Sequence, residues 1–462
     1  MRTPIIASRN EQGSVLTMSL LTALIIGFAL ASYLSLVSGQ NIANMRSLAW
    51  NSAIPVLESG IEEALTQLHF KGTNNLGENS WTYGTNTYGA GYQKTRYLGD
   101  SYYVTTIIPK SAPEIYSEGF VPTPFSGASG FAAIFAAYNP GAGAQSQYIS
   151  RRVKVTTKKD AMFGKGIVAK GQIDLKGNNI ATDSYDSSDP AKSIGGKYPT
   201  GDASKTKDNG DVATNSDVTD SLNIGNADIK GHVATGPGGS INILNNGSVG
   251  SKAWVDAGKP GVEPGYYTDD MNYDFKDVEV PFTSGYTTPV AGTVGGTNYN
   301  YVLNQGTGAG RFMLSMEPFT GNVLVSGNVV LYVTSSFSFS GSETITILPN
   351  SSLKVYVGCA SASMSGNAAV NNVSGKPLSF QYYGLPSNTS ISMSGNAALT
   401  GVIYAPEAAL SISGGGKDTY DFVGASVTKT VTLNGHVNFH YDEDLAKSGP
   451  SSDYAVTTWN EY

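Results

Sequence analysis

Hydrophobic positions change rhythm three times along the chain. From Val15 to Val37 they run almost unbroken, giving 23 consecutive uncharged and mostly apolar residues. As a helix rising about 1.5 Å per residue this run is about 34 Å long, enough to cross a hydrocarbon core of about 30 Å. The rhythm then turns helical and one-sided. Ile54, Leu57, Ile61, Ala64, Leu65 and Leu68 recur at spacings of three and four, while Glu58, Glu62 and Glu63 fall off that stripe. This predicts an amphipathic face, with Pro55 expected to bend the helix. Residues 14–70 are therefore read as one long helix of about 80 Å, preceded by a short leader-like segment, 1–13.

Beyond residue 70 the period shortens to two. Tyr102–Ile108 and Tyr148–Thr156 alternate apolar with polar residues and are rich in Thr, Val and Tyr. Such runs predict strands, so 71–160 is expected to be a small β-rich region. From Phe163 onward the runs become shorter and glycine punctuates them. Ser363–Ala369 recurs identically as Ser392–Ala398, and turn glycines at 366, 395, 414 and 435 are separated by 29, 19 and 21 residues. Repeats of that length signal stacked units, not a single globule. Alternation places Leu353, Val355, Val357 and Cys359 on one face. Glycine and asparagine supply corners where φ must be positive. The prediction for 161–445 is a parallel β-helix solenoid, with an antiparallel sandwich as the structural rival. Residues 446–462 read as a flexible Ser/Pro-rich tail.

Composition narrows the picture. Charged residues are only 14% of the 462, hydrophobic residues 40%, and glycines number 55, which is neither a charge-rich disordered chain nor an ordinary globular enzyme. A net charge of -7 argues against a nucleic-acid partner. The single cysteine, Cys359, excludes an intrachain disulfide and any multi-cysteine cluster, and four histidines leave little for zinc. Arg2 and Arg9 precede the apolar run, so the amino terminus is expected in the cytoplasm and the bulk of the chain outside it. A secretory signal cleaved after Ala31, in Ala29-Leu30-Ala31, is the alternative use of the same run.

Several strings carry resemblances. Gln12-Gly13-Ser14-Val15-Leu16, the apolar span, Gln40-Asn41-Ile42-Ala43-Asn44 and Glu58-Ser59-Gly60-Ile61-Glu62-Glu63-Ala64 resemble the amino terminus of type IV pilin-like proteins of the minor-pilin branch. That resemblance implies cleavage by a prepilin peptidase between Gly13 and Ser14, and packing of the exposed helix into a filament core. The chain departs from the family at Met18, where most pilins carry glutamate. Tyr383–Thr389, Gly401–Pro406, Asp421–Gly424 and Phe439–Glu443, with the loop Asp183–Asp189, resemble an uncharacterised β-helical domain of bacterial envelope proteins, which carries no established activity.

Candidate chemistry is sparse. Asp269 and Asp270, followed by Asp274 and Asp277, are the carboxylate pairs a polysaccharide hydrolase or lyase would need, though no basic residue pairs with them in sequence. Asp183, Asp186 and Asp189 are calcium candidates, but a turn rich in Asp, Ser and Pro190 explains them without a metal. His436 and His440 flank Asn438 on a strand, too far apart for a shared metal, and Asp442 follows. Cys359 reads as a small buried residue. Gly414-Gly415-Gly416-Lys417 lacks the upstream glycine of a phosphate loop. Tyr382 and Tyr383 are candidates for stacking on sugars.

The expectation is thus a mainly β envelope protein: a long transmembrane or filament helix, a small β region, then a parallel β-helix. It has no catalytic residue and no cofactor, and it serves pilus or pseudopilus assembly or surface adhesion. The expected partners are the inner membrane, pilin or pseudopilin subunits, prepilin peptidase and surface glycans. A carbohydrate-active β-helix enzyme and a bactofilin-like polymerising scaffold are the alternatives.

Overall fold

The computed structural model describes residues 12–71, 73, 76–123, 148–177, 179–367, 369–395, 398–414 and 420–462. The chain divides into two compact units, Met1–Lys159 with Asp453–Tyr462, and Asp160–Ser452. It is mainly β, with one long apolar helix, a small antiparallel sheet and a large, mostly parallel one.

In the first unit the helix α1, Gln12–Lys71, runs 60 residues and continues through Pro55, about 90 Å at the usual rise. Five strands follow in antiparallel order: β1 (Thr82–Asn86), β2 (Gly89–Leu98), β3 (Ser101–Ile108), β4 (Glu114–Pro122) and β5 (Tyr148–Ala161). The sixth strand of this sheet is the last of the chain, Ser451–Glu461, beside β5. The expected flexible tail is therefore corrected. Tyr454 is buried in the core of this unit, its carbonyl lies 3.0 Å from His69 Nε2, and Arg151 of β5 pairs with Glu461. Backbone pairing with β5 orders a segment whose flanking serines and proline suggested a loop.

The large sheet of the second unit is built almost wholly from parallel pairs that recur in three runs. One run passes through Val323–Ser326, Thr344–Ile347 and Ala369–Asn372. A second passes through Asn328–Val333, Ser352–Val357 and Phe380–Gly384. The third passes through Phe337–Phe339, Ser361–Met364 and Ser390–Gly395. All three continue into the long strands Leu399–Gly414 and Tyr420–Asn434, which pair with each other in register at both ends. Alternation works as the sequence predicts. Leu353, Val355 and Val357 are fully buried between Val329, Leu331 and Val333 on one side and Phe380 and Tyr382 on the other, within one continuous apolar core.

Strand order departs from chain order in the middle. Tyr420–Asn434 pairs in parallel with Ile167–Ala169 and Ile173–Leu175, and His436–Asp442 pairs with Asn179–Tyr185. From there the parallel runs continue through Val212–Thr214, Leu222–Gly225 and Asp228–Lys230 to Ser248–Gly250 and Tyr267–Thr268. The chain therefore enters at mid-sheet, builds one arm outward, crosses to the far end, and builds the other arm back to the middle. The crossing is a strap, residues 269–287, laid over the outer face. Met271 N donates to Thr235 O, Tyr273 exchanges hydrogen bonds with Asn215, Tyr404 OH donates to Lys276 O, and Thr287 N donates to Arg311 O.

One corner of these runs is a column of glycines. A Cβ on Gly395 would lie 2.3 Å from Gly366 O, and one on Gly435 would lie 2.5 Å from Gly414 O. Gly366, Gly395 and Gly435 also hold φ of +74°, +95° and +77°. Close approach and a positive φ both require glycine here.

Candidate functional site: the amino-terminal helix

The apolar run of α1 finds no apolar face to pack on among the described residues. Leu16, Phe28 and Leu34 are 71%, 67% and 64% exposed, and this is a helix long and apolar enough to cross a membrane. An exposed apolar surface of this extent marks a membrane or protein contact. It also carries a ridge of small residues. Ser19, Ala23, Gly27, Ala31, Ser35, Gly39, Ala43 and Ser47 recur every four residues, a row that winds about 40° per step around the helix and holds Ala31, Ser35 and Gly39 on one local stripe. A shallow groove follows part of it, lined by Ser32, Ser35, Leu36, Gly39, Gln40 and Ala43. Small residues at such a spacing let helix backbones approach closely in lipid. The stripe was legible in the sequence, but the 23-residue run conceals it when only its hydropathy is read.

The other half of α1 is fastened to the sheet. Leu57, Ile61, Ala64, Leu65 and Leu68 are buried against Trp81, Ile107, Ile115, Val153 and Val155. Each of the larger side chains contributes about 1.5–3 kcal/mol. Gly60 sets the distance, since a Cβ there would lie 2.2 Å from Thr105 Oγ1 and 2.5 Å from Ser117 Oγ. Gly119 does the same from the sheet side, with Ala53 O at 2.6 Å, and Ser117 Oγ donates 2.8 Å to Leu57 O. Glu63, expected off the packed face, instead reaches the sheet. It is paired with Lys94 at 2.9 Å and Arg96 at 3.1 Å and accepts from Tyr103 OH. Burial opposes the charge, but these partners hold its carboxyl below the usual range.

Gly13 and Ser14 lie within α1, and residues 1–11 of the leader-like segment are outside the described residues. The calcium candidates have separate partners. Asp183 bonds His440 and Tyr198, Asp186 takes Lys447 and Ser188, and Asp189 accepts from Ala191 N. Asp269, Asp270, Asp274 and Asp277 are all exposed on the strap. His436 bonds Asn179 at 2.9 Å, whereas His440 is buried. Asp442, also buried, accepts from Ser187 N. Cys359 is buried, its thiol pushed up by desolvation. Gly415, Gly416 and Lys417 lie outside the described residues.

The sugar-stacking expectation is corrected. Tyr382 points into the core, with its hydroxyl on Asn388 at 2.9 Å, and Tyr383 is buried beneath the strap against Tyr356. Alternation places the two tyrosines on opposite faces, and the strap covers the outer one.

A family described as a domain of unknown function, DUF7305, matches residues 303–448. No curated protein sequence matches the chain. Among solved structures, the competence-associated pilin ComZ from Thermus thermophilus is similar over 90% of this chain and 97% of its own, at 9% identity and a TM-score of 0.21. A TM-score that low supports no transfer of function.

Proposed function

We propose that this is a pilin-like envelope protein. Its amino-terminal helix sits in the inner membrane or a filament core, and a parallel β-helix is displayed outside the cytoplasm for assembly or adhesion. The observation that carries the reading is the division of α1. Its first half is a bare apolar rod with a small-residue stripe, and its second half is clamped to an antiparallel sheet through Gly60, Gly119 and Glu63. A helix made only to fold with its own sheet would begin near Ala49, the first buried residue among those described in the helix. The extra turns serve another medium or another subunit, and the small-residue stripe is where a second copy would approach.

Three runs of parallel pairs around one apolar core support a β-helix over a sandwich, because sandwiches are built of antiparallel strands. The bactofilin-like alternative needs open ends, whereas Thr297–Asn304 is covered by an antiparallel neighbour, Val290–Val294. That hairpin blunts the edge on which another copy would stack.

The test is the amino-terminal sequence of the mature protein from its native cell. A start at Ser14 supports cleavage by a prepilin peptidase and entry into a filament despite Met18. An intact Met1 leaves a static anchor and removes the filament reading. A start at Ser32 means signal cleavage after Ala31 and overturns the anchored reading altogether.

A further inference from the structure

We propose that strand His436–Asp442 is a pH-sensitive clamp joining the two arms of the large sheet, closed when His440 carries a proton and loosened when it does not. The clamp is one of the strands at the joint where late and early parts of the chain meet. On one edge it pairs with Tyr420–Val423, and on the other with Asn179–Tyr185, where His440 stands opposite Asp183.

The imidazole is enclosed on every side. Asp183 Oδ1 lies 2.6 Å from its Nδ1, and Asp421 Oδ1 of the preceding strand lies 3.8 Å from its Nε2. Its ring stacks on Tyr198 at 3.7 Å, and the Tyr198 hydroxyl donates to the second oxygen of Asp183. The imidazolium thus bridges a carboxylate on each arm, whereas a neutral ring leaves two carboxylates facing each other across the joint. On the same segment, Glu443 pairs with Lys207 and accepts from Ser184 and Asn209, and Lys447 pairs with Asp186.

Burial alone would push the imidazole down, but hydrogen bonds and charge from Asp183 and Asp421 outweigh it and hold His440 above its ordinary value. The folded value therefore exceeds the unfolded one, near 6.5 in free histidine. The stabilisation is complete below that unfolded value and is lost as pH rises through the folded one. Desolvation pushes Tyr198 and Tyr185 upward and so out of the same window. The Asp186 carboxyl is held down to about 2 through Lys447 and Ser188, despite burial. Asp442, pushed up by burial, titrates with the same sign as His440, so a variant must separate the two.

The experiment is amide hydrogen exchange on the full-length protein in detergent between about pH 5.5 and 9. Protection is corrected for intrinsic rates, and Ser352–Val357 serves as the internal reference. Protection of 436–442 and 179–185 is expected to fall with rising pH, about tenfold for each unit by which His440 is held above its unfolded value. His440→Gln is expected to abolish that dependence, and Asp421→Asn, at a half-exposed site that tolerates the change, to move it to lower pH. A wild-type joint insensitive to pH overturns the clamp. So does a dependence that survives unchanged in His440→Gln, which would assign it to Asp442. If His440→Gln does not fold, an Asp421→Asn profile identical to wild type overturns it equally.

Discussion

Replacing Gly395 with alanine tests the stacked-corner architecture at its tightest point. The added Cβ would lie 2.3 Å from Gly366 O and 3.0 Å from Gly366 C and N, all backbone atoms that cannot swing aside. At φ +95° an L-residue is also strained. The conformational term costs about 1–3 kcal/mol, and forcing the neighbouring corner apart adds about 1–3 kcal/mol. A combined loss of about 2–6 kcal/mol is a large fraction of the roughly 5–15 kcal/mol that keeps a domain folded. Gly341 supplies the control, since it sits in the same column at φ +60° yet its Cβ would meet nothing within 4 Å. Gly341→Ala should cost only the conformational term, about 1–2 kcal/mol. The assay is denaturant unfolding of the full chain in detergent, followed by Trp254 fluorescence, the one tryptophan in the second unit. Equal losses in the two variants, or a loss in Gly395→Ala below about 1 kcal/mol, a typical single-substitution cost, would refute the stacked corner.

Three further outcomes are expected from the packing. Glu63→Gln removes the ion pairs with Lys94 and Arg96. Because the folded carboxyl is held below its unfolded value, that stability is present above about pH 4.3 and fades as pH falls through the folded value. The variant should show a flatter acid-unfolding profile of the first unit, and an unchanged profile counts against the pairing. Deleting 451–462 strips the sixth strand and the buried Tyr454 from the small sheet, so limited proteolysis of β5 should quicken severalfold, where a flexible tail would leave it unaltered. Cys359, buried with its thiol pushed up, should react with a thiol reagent only on unfolding, and rapid labelling of native protein would misplace it.

Local chemistry made much of this fold legible. The helical spacing of Leu57, Ile61 and Leu65, the alternation of Leu353 to Val357, and the glycines at 366, 395, 414 and 435 each report what a residue's immediate neighbours require. Order in space was not legible. Nothing near Ile167 says that it pairs with Ser426, because parallel partners share no turn and leave no local signal. The strap hid Tyr383 for the same reason, since covering a face is a tertiary event. Ser451–Glu461 was obscured by its serine and proline flank, although Tyr454, Val456 and Thr458 alternate as strands do. Gly60 was visible as part of a pilin-like string, but only the structure gives it a physical task, which is seating the helix on Thr105 and Ser117.

The most direct measurement of the assembly claim is disulfide cross-linking in native membranes, with single cysteines on α1 and Cys359→Ser as background. Ala31→Cys and Gly39→Cys lie on the small-residue stripe, whereas Tyr33→Cys and Val37→Cys lie on the opposite side of the helix. If copies pack through the stripe, oxidation joins the first pair into dimers several times faster than the second, in a fraction that resists alkaline extraction. Cross-linking indifferent to the face of the helix, or none at all with the chain released by the alkaline wash, would contradict the account.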